Sequence, residues 1–118
     1  MVEINNNIIR FSRGDEVTFT FSATDESGSA YQFQAGDVIN FRIMQANGYN
    51  KELVLEKDFA INAETTSVEI SLTPQETTIG EEINKPKDYW YEIALNEYNT
   101  IVGYDKGPAI LTLLPARV

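Results

Sequence analysis

Cysteine and histidine are both absent from this sequence. Without cysteine there is no disulfide framework and no thiolate nucleophile, and without either residue there is no Cys/His zinc site. The absence of histidine also excludes every mechanism that uses an imidazole as general base. The composition therefore favours a binding or structural module over an enzyme, and we expect no catalytic residue, no cofactor and no metal site.

Positive charge and long apolar runs are scarce as well. Nine lysine and arginine residues stand against 18 aspartate and glutamate residues, which gives a net charge of −9. Because binding to a phosphate backbone requires clustered cations, nucleic acid is not an expected partner. The longest nearly apolar run, residues 109–115, is too short to cross a bilayer, so no membrane partner is expected either.

What the chain does contain is enough apolar material for one core. Of its 118 residues, 42% are hydrophobic and 23% are charged, which is typical of a globular protein rather than a disordered one. A chain of this length fits one ordinary domain without metal or disulfide crosslinks. We therefore predict a single domain over residues 1–118.

Hydrophobic residues alternate with polar ones along most of the chain, which is the pattern of half-buried strands. The clearest segments are residues 16–21, 38–44, 52–56, 68–72 and 89–96, and shorter ones are residues 8–11, 100–104 and 109–114. Two long irregular segments, 23–37 and 73–88, are typical of connections that carry a chain from one sheet to another. The pattern predicts an all-β fold, a Greek-key β-sandwich of about seven antiparallel strands in two sheets.

Two short segments have local predictions of their own. Arg13, Gly14 and Asp15 spell the tripeptide of integrin ligands, but we interpret them as a tight turn in which the glycine supplies a positive φ. After the fourth clear segment, Thr73 can cap a single helical turn in which Glu76 occupies the capping-box position.

Three longer motifs carry a resemblance to a known family. They are residues 11–19 (FSRGDEVTF), residues 34–43 (QAGDVINFRI), and residues 71–78 (SLTPQETT) followed by residues 89–93 (YWYEI). With them the chain resembles the immunoglobulin-like amino-terminal domain of phage baseplate upper proteins. The resemblance implies an immunoglobulin-like sandwich and a virion or prophage structural module, assembled in the cytoplasm of a bacterial host. Such a module docks to other tail or baseplate proteins, or to itself, without catalysis.

Trp90 and the last strand are the candidate interaction residues. Trp90 alternates with the apolar Tyr89 and Tyr91, so it points away from the core, where it is either covered by a neighbouring loop or left as an interface anchor. Residues 109–114 lack a polar face, which indicates that this strand is either buried on both sides or covered on one side by another subunit. The predicted interface residues are Trp90, Leu111, Leu113, Tyr98 and Tyr104.

Acidic and aromatic residues allow other functions. The acidic segments 25–28 and 80–82 lack the ligand spacing of a calcium loop, and we interpret them as solvated loops. A carboxylate pair could serve a glycosidase without histidine, but such an enzyme needs a cleft that a small sandwich rarely provides. If Trp90 is a sugar platform instead, the protein is a secreted or cell-surface carbohydrate-binding or adhesion module, which is the alternative to docking.

Asn47 and Gly48 carry the strongest hairpin signal of the chain, a two-residue type I′ turn. In that register, Glu52 and Glu56 would face the core. Because burying two unpaired carboxylates costs far more than adding one loop residue, burial should override the turn preference. We predict an odd-length loop, a β-bulge near Gly48, or strands that separate into different sheets after the turn.

Overall fold

Nine β-strands and no helix make up the regular structure of this computed structural model, which describes residues 3–5, 8–24, 27–45, 52–80, 84–102 and 109–116. The prediction of an all-β fold is therefore confirmed. The strands are β1 (Glu3–Asn5), β2 (Ile8–Ser12), β3 (Val17–Phe21), β4 (Val38–Met44), β5 (Leu53–Ala60), β6 (Val68–Leu72), β7 (Lys87–Leu95), β8 (Asn99–Val102) and β9 (Ile110–Leu114).

The strands form two sheets, as predicted. The large sheet has the order β1, β2, β9, β7, β4, β5, with β8 beside β7, and the small sheet consists of β3 and β6. β2 and β9 run parallel, so the expectation of antiparallel strands throughout is wrong for this pair. The described residues form nine strands rather than about seven, because all eight alternating segments form strands and β1, only three residues long, adds one that the pattern did not indicate.

The inner faces of the two sheets share one apolar core. On β3 the alternation buries Val17, Phe19 and Phe21 and leaves the threonines between them exposed. Phe19 meets Phe41 of β4 edge-to-face, with ring centroids 6.0 Å apart, so these rings join the two sheets. Phe33, in the long connection between β3 and β4, is also completely buried, and its ring centroid lies 6.3 Å from that of Phe21.

Both local turn predictions are confirmed. Gly14 has a φ of +88°, and the amide of Asp15 donates to the carbonyl of Ser12 at 3.1 Å, so the predicted turn forms here. After β6, the amide of Thr73 donates to Glu76 Oε1 at 2.8 Å, and the amide of Glu76 donates to Thr73 Oγ1 at 3.2 Å. This reciprocal pair of hydrogen bonds is a capping box.

The pairing of β4 with β5 follows burial rather than the local turn preference. Arg42 faces Glu56, but the pairing then shifts at a bulge so that Met44 faces Leu53. Glu56 consequently lies beside Arg42 and away from the core, as the burial argument required. The observed β-bulge is between Ile43 and Met44 and not near Gly48, and the turn itself, residues 46–51, lies outside the described residues.

Lys57 connects the edge strand β5 to the small sheet. It lies opposite Phe41 on the inner side of β5, and its ammonium group donates to the Ser71 carbonyl at 2.9 Å and to Glu76 Oε1 at 2.8 Å. Hydrogen bonds from Lys57 and from the Thr73 amide outweigh the effect of burial and hold the pKa of Glu76 below its ordinary value. The same carboxylate thus completes the capped turn and joins the two sheets.

Candidate functional site

A line of apolar side chains crosses the outer face of the large sheet. The register pairs Leu53 of β5 with Met44 of β4, Met44 with Trp90 of β7, Trp90 with Ile110 of β9, and Ile110 with Ile8 of β2. Directly opposed residues on neighbouring strands share a face, so these side chains form one line on the side away from the small sheet. We call this line the apolar row.

The apolar row is only partly covered by the rest of the chain. Leu53, at one end, is 49% exposed, and Met44 beside it is 7% exposed. Trp90, Ile110 and Ile8 are half-buried. Met44 is thus buried, whereas Leu53 is exposed and the other three members are partly exposed. Apolar side chains that stay accessible on an outer sheet face can mark a contact site, so the row is the candidate functional site of this fold.

Ion pairs border the row on one side. Arg42, two residues before Met44 on β4, donates from Nε to Glu56 Oε2 and from Nη1 to Glu92 Oε1, each at 2.5 Å. Burial disfavours the charge on the guanidinium, but the hydrogen bonds and charges of the two carboxylates outweigh it and raise the pKa of Arg42 above its ordinary value. One guanidinium between two carboxylates leaves a net negative charge on this border.

Asp88 borders the row on the other side. It precedes Trp90 by two residues on β7, and its Oδ1 accepts a hydrogen bond from Thr112 Oγ1 of β9 at 2.8 Å. Outward positions of one strand are spaced by roughly 7 Å, so Asp88 and Glu92 flank Trp90 along β7 at similar distances. The indole therefore lies between two carboxylates of the same strand.

Beyond the ion pairs, the outer face becomes polar and hydrogen-bonded. Asn40 is 4% exposed, and its Nδ2 donates to Asp58 Oδ1 at 2.8 Å. Its Oδ1 accepts from the amide of Glu97 at 2.7 Å. Because both ends of this buried amide are hydrogen-bonded, Asn40 stabilises the sheet and leaves no polar group unsatisfied there.

Leu111 and Leu113 are core residues, and their prediction as interface residues is wrong. Both are completely buried, because β9 lies between β2 and β7 and turns these two residues towards the small sheet. The outward residues of β9 are Ile110, Thr112 and Leu114, all of them half-buried. The apolar character of the outer side therefore comes from Ile110 and Leu114.

The remaining predicted interface residues lie in different places. Trp90 is in the middle of the apolar row. Tyr98 is 86% exposed, but it is in the turn between β7 and β8, where Asn96 and Glu97 have positive φ, and it is not part of the row. Tyr104 lies outside the described residues.

Sequence reasoning missed most members of the row, namely Ile8, Met44, Leu53 and Ile110. The alternation within one strand shows which residues point outward, but it does not show which outward residues become neighbours across the sheet. Leu53 is a special case, because the bulge places it on the opposite face from Leu55 although the two residues follow a period of two.

A cavity between the two sheets is lined by residues of β3, β7 and β8. It has a volume of about 500 Å³, and its lining includes Phe19, Phe21, Tyr91 and Ile101. Burial raises the pKa of Tyr91 to about 12, so this phenol is neutral at physiological pH. Among the described residues that line the cavity none is charged, so the cavity offers no acid–base pair.

Within the described ranges, no three carboxylate, imidazole or thiol side chains come together as a metal site, and no helix is long and apolar enough to cross a membrane. Comparison of the chain with protein-family models, with curated proteins and with solved structures finds no match. The geometry and sequence of the chain itself are therefore the support for its function.

Proposed function

We propose that this chain is a non-catalytic docking module that acts through protein–protein contacts centred on the apolar row. The observation that carries the proposal is the position of Trp90, between Met44 and Ile110 in a line of apolar side chains on the outside of a sheet. Partly exposed tryptophans surrounded by apolar contacts are the side chains that dominate the energy of protein interfaces.

We also propose that the two sheets form an immunoglobulin-like Greek-key sandwich. Taken in chain order, β3 and β6 correspond to strands B and E of that fold. The order β9, β7, β4, β5 in the large sheet then corresponds to strands G, F, C and C′. The chain crosses between the sheets after β2, β3, β5 and β6, which fits the crossing pattern of such a sandwich.

The proposed setting is the tail or baseplate of a phage or prophage virion, assembled in the cytoplasm of a bacterial host. Its support is the resemblance of residues 11–19, 34–43, 71–78 and 89–93 to the amino-terminal domain of phage baseplate upper proteins. The proposed partners are other tail or baseplate proteins, or a second copy of the chain.

Carbohydrate binding, in a secreted or cell-surface protein, is the second candidate function. It is favoured by the placement of Trp90 between Asp88 and Glu92, since an aromatic ring beside carboxylates can hold a sugar. Across the ladder, however, the neighbours of Trp90 are Met44 and Ile110, which offer a sugar hydroxyl no strong hydrogen bond. The row therefore fits an apolar protein surface better than a sugar.

The experiment that tests docking measures how much of the chain is incorporated into virions. Mass spectrometry of particles produced from the genome that encodes the chain should detect it among the virion proteins. Trp90→Ser, which removes the proposed anchor, should lower its incorporation at least about tenfold, as expected for an interface hot spot. The matched control is Glu69→Ser, an exposed outward residue of the small sheet, which should be incorporated like the wild-type chain.

Two outcomes would contradict the docking proposal. One is equal incorporation of the Trp90→Ser and wild-type chains, which would show that the row is not part of the interface. The other is absence of the chain from particles together with saturable binding of a neutral saccharide that Trp90→Ser abolishes, which would favour the carbohydrate-binding function.

A further inference from the structure

Charged groups around the apolar row point to the chemistry of its partner. The charged outward residues of β2, β4, β5, β7 and β9 are carboxylates at Glu56, Asp58, Asp88 and Glu92 and guanidiniums at Arg10 and Arg42. Arg42 is already paired with two of these carboxylates. The surface around the row is consequently acidic.

The two carboxylates beside Trp90 can accept further hydrogen bonds. Asp88 is exposed and uses Oδ1 for Thr112, and Glu92 uses Oε1 for Arg42. Because an ionised carboxylate has two oxygens with several lone pairs, each of these groups can accept a donor from a partner as well. Hydrogen bonds that join two charged groups are the strong ones, so a cation is the donor that fits best.

Of the two kinds of partner proposed above, electrostatics disfavours a second copy of the chain at this surface. Each copy carries a net charge of −9. Two copies meeting face to face through the row would bring Asp88 and Glu92 of one copy towards the same carboxylates of the other. Juxtaposed like charges suppress association, whereas complementary charges favour it.

We infer that the apolar row binds a cationic segment of a different protein, in which an apolar side chain lies between two lysine or arginine residues. This inference rests on the proposed docking function and names the class of partner. Asp88 and Glu92 are four residues apart on one strand, roughly 13 Å. An extended segment with cations four residues apart and an apolar residue midway therefore places each cation near one carboxylate and the apolar side chain on Trp90.

A synthetic extended peptide of about nine residues provides the probe, with two lysines four positions apart, a leucine midway, and serine or threonine elsewhere. Trp90 is the only tryptophan of the chain, so a shift of its emission to shorter wavelength reports that the peptide covers the row. We expect saturable binding by calorimetry and by emission. Asp88→Lys should weaken this binding about tenfold, and higher salt should weaken it as well.

Glu69→Lys is the matched control, because it makes the same change in net charge on the outer face of the small sheet. It should change the dissociation constant by less than about twofold, since exposed charges further apart than the Debye length are screened. Equal weakening by both variants would show attraction to the overall charge and would overturn the inference. Melting curves check that each variant is folded, and Asp88→Asn, with an intermediate expected loss, replaces Asp88→Lys if that variant is not.

Two altered peptides separate failure of this inference from failure of the docking proposal. If a peptide with glutamates in place of the lysines binds equally well, the cationic partner is excluded but docking through the row stands. If a peptide with serine in place of leucine binds equally well, Trp90 is not the contact and the docking proposal loses its surface too. No binding of the lysine–leucine peptide at millimolar concentration overturns the inference alone, and the virion experiment then decides on docking.

Discussion

The outer faces of the two sheets differ in what they present to solvent. On the small sheet the outward residues include Thr18, Thr20 and Glu69, which are polar and exposed. On the large sheet, the outward residues include Leu53, which is exposed, and Trp90, which is half-buried. Both sheets bury their inner faces in the same core. Burial of the core therefore does not explain why their outer faces differ in composition.

This contrast separates the apolar residues that the fold needs from those that are available for contact. The small sheet shows that an outer face of threonine and glutamate is sufficient for a sheet of this sandwich. Burial of the core therefore does not require the apolar row, and it does not require the ion pairs of Arg42 that border the row. Substitutions at matched positions on the two outer faces test this contrast.

The largest effect is expected from Arg42→Ala. This change leaves Glu56 and Glu92 without their cation. The side chains of Arg42 and Glu92 are only 16% and 17% exposed, whereas that of Glu56 is 45% exposed. The loss of unfolding free energy should be about 2 kcal/mol, between the values for exposed and for fully buried pairs. Glu69→Ala on the small sheet should cost less than about 0.5 kcal/mol. Urea unfolding at pH 7 measures both.

Adding Glu92→Gln to Arg42→Ala should restore part of the lost stability, because it removes the repulsion between the two carboxylates. If Arg42→Ala costs no more than Glu69→Ala, the border of the row is a solvated surface like that of the small sheet, and the contrast between the two faces is lost for charged residues.

A smaller effect is expected from Glu76→Gln, which weakens the link that Lys57 makes between the sheets. Because the folded chain lowers the pKa of Glu76, its contribution to stability is present above the ordinary value of 4.5 and is lost as pH falls through the folded pKa. At pH 7 the variant should be less stable by about 1 kcal/mol. By pH 3 the difference should shrink, and an unchanged difference in urea unfolding would contradict the assignment. Asp37, whose pKa its hydrogen bonds also lower, leaves some acid dependence in the variant.

A still smaller effect is expected from Thr112→Val on the outer side of β9. The change keeps the shape and strand preference of the side chain but removes the hydrogen bond to Asp88. Stability should fall by about 0.5–1 kcal/mol, the usual net value of one hydrogen bond. The matched change Thr20→Val, on an exposed position of the small sheet, should leave the unfolding free energy unchanged within about 0.5 kcal/mol. Equal losses in thermal unfolding would contradict a special role for the Thr112 hydroxyl.

The smallest effect on stability, but a visible one on solubility, is expected from Leu53→Ser. Leu53 is 49% exposed at the end of the row, so the unfolding free energy should change by less than about 0.5 kcal/mol. Light scattering at high protein concentration should fall, because the exposed apolar surface becomes smaller. Thr20→Leu, which adds an apolar side chain to the small sheet, should have the opposite effect on scattering. If Leu53→Ser leaves the scattering unchanged while Thr20→Leu raises it, the exposed end of the row does not promote association.

Features that depend on neighbouring residues in sequence could be predicted. The faces of β3 and β4 follow from alternation, and the capping box of Thr73 and Glu76 follows from spacing. It was also predictable that β4 and β5 would not pair in the register of a two-residue turn, because the cost of burying a charge is larger than any turn preference. In each case one segment of the sequence contains all the groups that decide the outcome.

Features that depend on which strands become neighbours could not be predicted. The parallel pairing of β2 with β9 decides that Leu111 and Leu113 face the core, although the strand is apolar on both sides. Similarly, the alternation along β5 does not show which group pairs with the inward ammonium group of Lys57. Its partner Glu76 becomes a neighbour only because β5 packs near the turn after β6. The apolar row is of the same kind, since its members come from separate strands.

The parallel pair of β2 and β9 also has a consequence for the folding kinetics. Ile8 pairs with Ile110, so nearly the whole chain lies between the two strands that complete this part of the sheet. Folds dominated by such distant pairings reach the native state slowly, on the order of milliseconds to seconds. Because β9 also joins β2 to β7, Trp90 gains its neighbours Ile110 and Ile8 only when the last strand has docked. A partner that recognises the complete row thus distinguishes finished molecules from chains that are still folding.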